Sequence, residues 1–214
     1  MPRRLRLPAV TRARLWPFII VGYLLFDTLY LGSAAVEIRT PRMLGPTAID
    51  RAVPFVAASI WVYLSQFLLL PWTLATVRDD VTRSRTFYAM LLATLISLPV
   101  FVLFPTCVTH PPPPTGGLTG FAWQTLYFGD TPNNAFPSLH VALAAIAGVA
   151  LWQSRRYLIA VVWPGGIMIS TLTTRQHISW DVAGGLLVAV LAWILTPRLV
   201  AYERTRLPDD TASH

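Results

Sequence analysis

Six long apolar runs, each closed by arginines, prolines or a charged turn, constrain this chain more than anything else in it. They are Leu15 to Leu31, Val53 to Val77, Thr86 to Phe104, Ser138 to Trp152, Tyr157 to Leu172 and Ile178 to Leu199. Inside a bilayer no water satisfies backbone N–H and C=O groups, so each run must close its own hydrogen bonds as helix. With 54% hydrophobic and 13% charged residues, the chain is too apolar for an ordinary soluble domain. The expected fold is all-α: one polytopic membrane domain over 1–214 with six transmembrane helices. The first run follows five arginines, as a signal peptide would, but it exceeds a usual signal core and further spans follow, so it reads as the first crossing. Ser138 to Trp152 is short for a span of about 20 residues, and its start would be shielded beneath a preceding loop.

All seventeen basic residues are arginine, and the formal charge is +7. They sit at the ends of apolar runs and form no stripe on a soluble face, which argues against nucleic acid as a partner. Thirteen fall in the segment before the first run, the Arg78–Arg85 turn, the Arg155–Arg156 turn and the C-terminal end from Arg198 onward. Only Arg39, Arg42, Arg51 and Arg175 fall on the other side. The positive-inside rule then places both termini, with tails at 1–14 and 202–214, in the cytoplasm. The segment 36–51 reads as interfacial. The stretch 105–137, with four consecutive prolines and no Arg or Lys, is a long outer loop in which Phe121 to Phe128 forms a short surface helix. A single cysteine, Cys107, permits no internal disulfide and suggests no cysteine metal site.

On that topology His110, His140 and His177 all lie at the outer side. His177 precedes Asp181 by four residues, a spacing that stacks the two side chains on one helix face. A carboxylate holding one imidazole nitrogen leaves the other as nucleophile, base or ligand, though such a pair also occurs for purely structural reasons. His140 follows Ser138 into a helix start, where free N–H groups and the helix dipole attract an anion; Ser138 is equally a good N-cap. His140, His177 and Asp181 are metal-ligand types, but nothing else in the sequence completes a tetrahedral set.

Phe136-Pro137-Ser138-Leu139-His140, followed by Ser170-Thr171, His177 and Asp181, resembles the second and third signature motifs of the type 2 phosphatidic acid phosphatase (PAP2) superfamily. Asp50 to Phe55 with Tyr63, Phe104-Pro105-Thr106 and Asp130 to Asn134 are similar to the branch that includes inositol phosphorylceramide synthase, so the likeness covers roughly 50–190. The resemblance implies an extracytoplasmic active site, in an integral protein of a bacterial inner membrane, that acts on a lipid phosphate without cofactor or metal. It implies His177 as nucleophile, Asp181 as its orienting carboxylate, His140 as general acid and base, and Ser138 at the phosphate. There are departures. The first motif's Lys and Arg correspond to Leu103 and His110, and the third motif's Arg to Thr171. His110 would keep a hydrogen bond to phosphate, Arg175 would replace a missing cation, and Thr171 would bond helix backbone. Three readings stay open: a lipid phosphate or diphosphate phosphatase, a phosphotransferase with an alcohol acceptor such as inositol, and a lipid-binding protein without turnover. The lipid itself and the oligomeric state are not legible.

Overall fold

The computed structural model describes residues 4–36, 38–112, 114–129 and 133–203; the Asp130-Thr131-Pro132 part of the quoted motif, Arg204, Arg206 and His214 lie outside them. In chain order the elements are β1 (Leu5–Pro8), α1 (Leu15–Ala35), β2 (Arg42–Met43), α2 (Ala48–Ala52), α3 (Ile60–Leu64), α4 (Gln66–Thr76), α5 (Asp80–Leu103), β3 (Thr106–Cys107), α6 (Gly117–Gly129), α7 (Leu139–Gln153), α8 (Tyr157–Thr173), α9 (Ser179–Leu199) and β4 (Val200–Glu203). The protein is mostly helical. Among the described residues, four helical segments are long and apolar enough to cross a membrane: 12–35, 57–76, 80–103 and 179–199. At 15 and 17 residues, α7 and α8 are shorter apolar helices.

Two features depart from a purely helical reading. β1 and β4 pair in parallel, Leu5 opposite Val200, and β2 pairs in parallel with β3, Arg42 opposite Thr106. Both ribbons join segments far apart in sequence, so no local pattern announces them. The second apolar run begins its helix only near Ala57 and breaks at Ser65, where the hydroxyl turns back onto the Val62 carbonyl.

α7 is the centre of the bundle, packed on α4, α5, α8 and α9. Its small residues Ala142, Ala144, Ala147, Gly148 and Ala150 are buried, and they let neighbouring backbones approach closely. The charged turn near Arg78 does more than mark topology. Arg83 is 2% exposed, donates to the carbonyls of Leu74 and Val77, and is ion-paired with Asp80, so it closes the end of α4. At this same end β1 and β4 meet the start of α5 through Tyr88 Oη–H on the Pro8 carbonyl, 2.7 Å. At the opposite end α6 covers α3: Trp123 is fully buried and donates to the Ala57 carbonyl at 3.0 Å. The helix expected at Phe121 to Phe128 is therefore present and longer. Thr106 on β3 holds the segment entering α7, accepting from Ala135 N–H and, through its hydroxyl, from Phe136 N–H at 2.8 Å.

Candidate active site

The turn between α8 and α9 is built by reciprocal caps. Arg175 adopts φ +58°, the left-handed conformation that glycine ordinarily supplies just past a helix end. A non-glycine residue there costs about 1–3 kcal/mol. Its side chain offsets that cost, donating to the carbonyls of Asp50 at 2.5 Å and Val53 at 2.7 Å, the C-terminal end of α2. In return Asp50 reaches the start of α9. Its carboxylate accepts from Ser179 N–H at 2.8 Å, from the Ser179 hydroxyl at 3.0 Å and from Thr47 N–H at 2.7 Å. Burial pushes the Asp50 carboxyl upward, but these donors outweigh it and hold the group below its ordinary value.

His177 sits in this turn. Its N–H and that of Gln176 both donate to the Thr171 carbonyl at 3.1 Å. Asp181, fully buried, accepts from Ile178 N–H at 2.9 Å and places the same oxygen, Oδ2, 3.4 Å from His177 Nδ1. That separation is longer than a good hydrogen bond, as unliganded catalytic contacts commonly are. His140 enters from α7. Its ring stacks on Tyr63 with centroids 4.0 Å apart, and Nδ1 lies 3.2 Å from the Tyr63 hydroxyl, while Nε2 is buried without a partner. The two imidazole centroids are 6.4 Å apart.

Glycines bring these two segments into register. A Cβ at Gly184 would meet the Phe136 ring at 2.5 Å, and one at Gly185 would meet the Ser138 carbonyl oxygen at 2.4 Å. Ser138 is fully buried; its N–H donates to the Asp181 carbonyl at 3.0 Å, and its hydroxyl caps α7 by accepting from Val141 N–H at 3.3 Å.

His110, His140 and His177 line one cavity of about 240 Å³, together with Tyr63, Asn134, Gln176 and Asp27. The His110 ring is stacked on Tyr127 at 5.6 Å. Thus all three expected histidines converge, with Asp181 behind His177. Ser138 and Arg175 do not line this cavity: one is spent on the α7 cap, the other on carbonyls of the α2 segment. Thr171 bonds helix backbone, the Met168 carbonyl at 2.7 Å, as expected. Among the described residues no three His, Cys, Asp or Glu side chains form a metal-binding group.

Four residues of the site escaped the sequence reading of individual roles. Asp50 and Tyr63 lie in the segment quoted for the family likeness, so a signal existed without a role attached. Gln176, 3% exposed, carries an amide with neither atom partnered, and Asn134 Oδ1 is likewise unpartnered. Asn134 also lies in a stretch quoted for the likeness, again without a role, whereas only its position beside the histidines reveals Gln176.

An apolar helical bundle that gathers histidines from separate segments around one cavity, with a carboxylate behind one of them and several helices long enough to cross a bilayer, fits a membrane protein. The chain belongs to the PAP2 superfamily: the family model matches residues 47–195, a span holding Asp50, Tyr63, all three cavity histidines and Asp181. No curated protein and no solved structure matches it. Membership supports phosphatase- or phosphotransferase-type chemistry on lipid phosphates.

Proposed function

We propose that the protein is an integral-membrane phosphatase of lipid phosphates or diphosphates, working through a phosphohistidine. All six apolar runs cross the bilayer, both termini are cytoplasmic and the cavity lies at the outer face. The observation that carries this reading is the pair of imidazoles 6.4 Å apart at one cavity, one backed by a buried carboxylate, the other by a tyrosine hydroxyl. Asp181 accepts from His177 Nδ1–H, which leaves the Nε2 lone pair to attack phosphorus. The Tyr63 oxygen accepts from His140 Nδ1–H, so that proton exchange is confined to His140 Nε2. As the N–P bond forms and the P–O bond to the lipid breaks, the leaving oxygen takes the Nε2 proton from imidazolium His140. Water then returns a proton to His140 Nε2 and adds its oxygen to phosphorus, and the N–P electron pair goes back to His177. The first turn of α7, which lines the cavity at Leu139 and His140, contributes N–H groups and its dipole to the phosphate oxygens, and His110 contributes an imidazole. Arg175 acts at a distance, by holding the His177 turn.

A phosphotransferase is the second reading, and a specific observation favours it: the unpartnered amide of Gln176 and the unpartnered Oδ1 of Asn134, which line the cavity with His177, are groups an alcohol acceptor would engage and water would not need. The test is phosphate release from a panel of lipid phosphates by wild-type and His177→Ala protein in detergent, with EDTA, with and without inositol or glycerol. Histidine-dependent phosphate release that ignores the alcohol supports the hydrolase. A phosphodiester lipid formed only with alcohol supports the transferase. Full activity in His177→Ala overturns both.

A further inference from the structure

We propose that the apolar cleft between α1, α4 and α5 seats the hydrocarbon chain of the substrate, and that Gln66 recognises a polar linkage (an ester, amide or hydroxyl) joining that chain to the phosphate. This names the substrate class within the lipid-phosphate reading and rests on it. The cleft is a cavity of about 90 Å³ bounded by Ile19 to Phe26 on α1, Gln66 to Leu74 on α4 and Phe87 to Thr94 on α5. Each wall is about 10 Å long at 1.5 Å per helical residue. It adjoins the reaction cavity, with Phe26, Phe67 and His140 as the wall common to both. A chain whose phosphate lies at His177 would enter the bundle past His140 at this shared wall.

Among the described residues, His140 at the shared wall and Gln66 within the cleft are the lining side chains that carry a buried unpartnered atom. Tyr23 donates to the Phe67 carbonyl at 2.8 Å and Thr94 to the Met90 carbonyl at 3.2 Å. Gln66 is 4% exposed and its Oε1 is buried without a partner. An unpaired buried amide oxygen is destabilising, and polar side chains inside membrane helices mark function more often than packing. Gln66 follows Tyr63, the partner of His140, by one helical turn, about 4.5 Å along the axis. In a glycerol phosphate the hydroxyl and the ester carbonyl stand about four and six bonds from phosphorus, beyond the leaving oxygen that His140 would serve and on the side of Gln66. A primary amide serves either partner: its N–H groups donate to an ester or amide carbonyl, and its oxygen, brought round by rotation of the terminal torsion, accepts from a hydroxyl or amide N–H. An alkyl or isoprenyl chain bound directly to phosphate leaves it unpaired.

Two measurements on the full chain in detergent test this. In the first, a dodecyl phosphate bearing a mid-chain diazirine is photolysed with His177→Ala protein, so that labelling does not depend on turnover. Label in peptides of α1, α4 and α5 is expected, and label spread over the outer bundle surface overturns the cleft. In the second, kcat/KM is compared for dodecyl phosphate and a lysophosphatidate of matched chain length. The wild type should favour the ester-bearing lipid by about tenfold, and Gln66→Leu should reduce that preference to near unity. Equal ratios in the two proteins, or no preference in the wild type, overturn the role of Gln66. Gln66→Leu removes an unpaired buried amide, so its unliganded Tm should not fall; a fall shows that the amide is already satisfied and refutes the premise. If the wild type turns over neither lipid while the diazirine still labels the cleft, the phosphatase reading fails and the seat for the chain stands.

Discussion

Gly185→Ala separates the geometry of the site from the stability of the fold. The added Cβ would lie 2.4 Å from the Ser138 carbonyl oxygen and 2.9 Å from Val141 Cβ, against ordinary contacts of 3.4–4 Å. The obstacle is backbone: the Ser138 carbonyl accepts from Ala142 N–H and its N–H donates to the Asp181 carbonyl, so it cannot swing away alone. Relief requires α7 and α9 to part by about 1 Å, and these helices carry His140 and the start of the His177–Asp181 pair. A shift of that size at reacting groups costs about 100-fold in rate. Stability should change far less. Overpacking costs about 1–3 kcal/mol, and alanine recovers about 1 kcal/mol of helix propensity, which leaves a net loss of about 0–2 kcal/mol. Gly165→Ala in α8 is the control, since nothing lies within 4 Å of its Cβ; it gains the propensity without the clash. The assay is kcat/KM with thermal unfolding in detergent for both variants. Full activity in Gly185→Ala would refute the coupling of this contact to the site.

Asp181→Asn should lower kcat by about 10²–10⁴ at nearly constant KM and Tm, because an amide oxygen still accepts from Ile178 N–H but no longer stabilises imidazolium His177; equal losses of Tm and kcat would make the carboxylate merely structural. Tyr63→Phe keeps the ring stack and removes the hydroxyl, so kcat should fall about tenfold with Tm little changed, and an unchanged kcat would remove Tyr63 from the proton path. Arg175→Gly should be about 1 kcal/mol more stable than Arg175→Ala, since both lose the carbonyl caps and only glycine relieves φ +58°; the reverse order in thermal unfolding would contradict the left-handed turn. Asp50 is held below its ordinary carboxyl pKa, so its contribution is fully present above about pH 4 and is lost as pH falls through the folded value. The stability gap between wild type and Asp50→Asn should therefore narrow as pH falls below about 4, and a gap independent of pH would refute it.

Hydrophobic run length located the helices because burial of the backbone leaves an apolar segment no alternative to helix. The same argument is silent on where such a run breaks: Ser65 divides α3 from α4 by a side-chain bond to its own helix, a choice that no periodicity in Val53 to Val77 expresses. Likewise β1 with β4 depends on residues nearly two hundred positions apart. His177 and Asp181 were legible as neighbours from their four-residue spacing, although His177 lies in the turn ahead of α9 and not on its face, so the pair meets across the helix start; the shorter Asp50–Ser179 bonds were not legible, because 129 positions separate the partners. Tyr63 within an apolar run looks like any interface aromatic until His140 is placed against it.

The arginines make the same point about function. An arginine at the end of an apolar run carries one sequence signal and several physical uses, and Arg83 and Arg175 both use their planar, multiply donating heads to close helix carbonyls. For Arg175 this bears on the missing family cations. Leu103 is apolar, Thr171 is spent on its own helix and Arg175 on the α2 segment, which leaves His110 as the one altered position that lines the reaction cavity. On the proposed reading the phosphate is then met by imidazoles and first-turn N–H groups, not by guanidinium. Neutral and titratable donors hold a dianion less tightly than fixed cations do, so binding energy must come from the rest of the ligand. The adjoining apolar cleft beyond His140 is where that energy is available, which predicts that shortening the lipid chain raises KM steeply while leaving kcat for the bound lipid nearly constant.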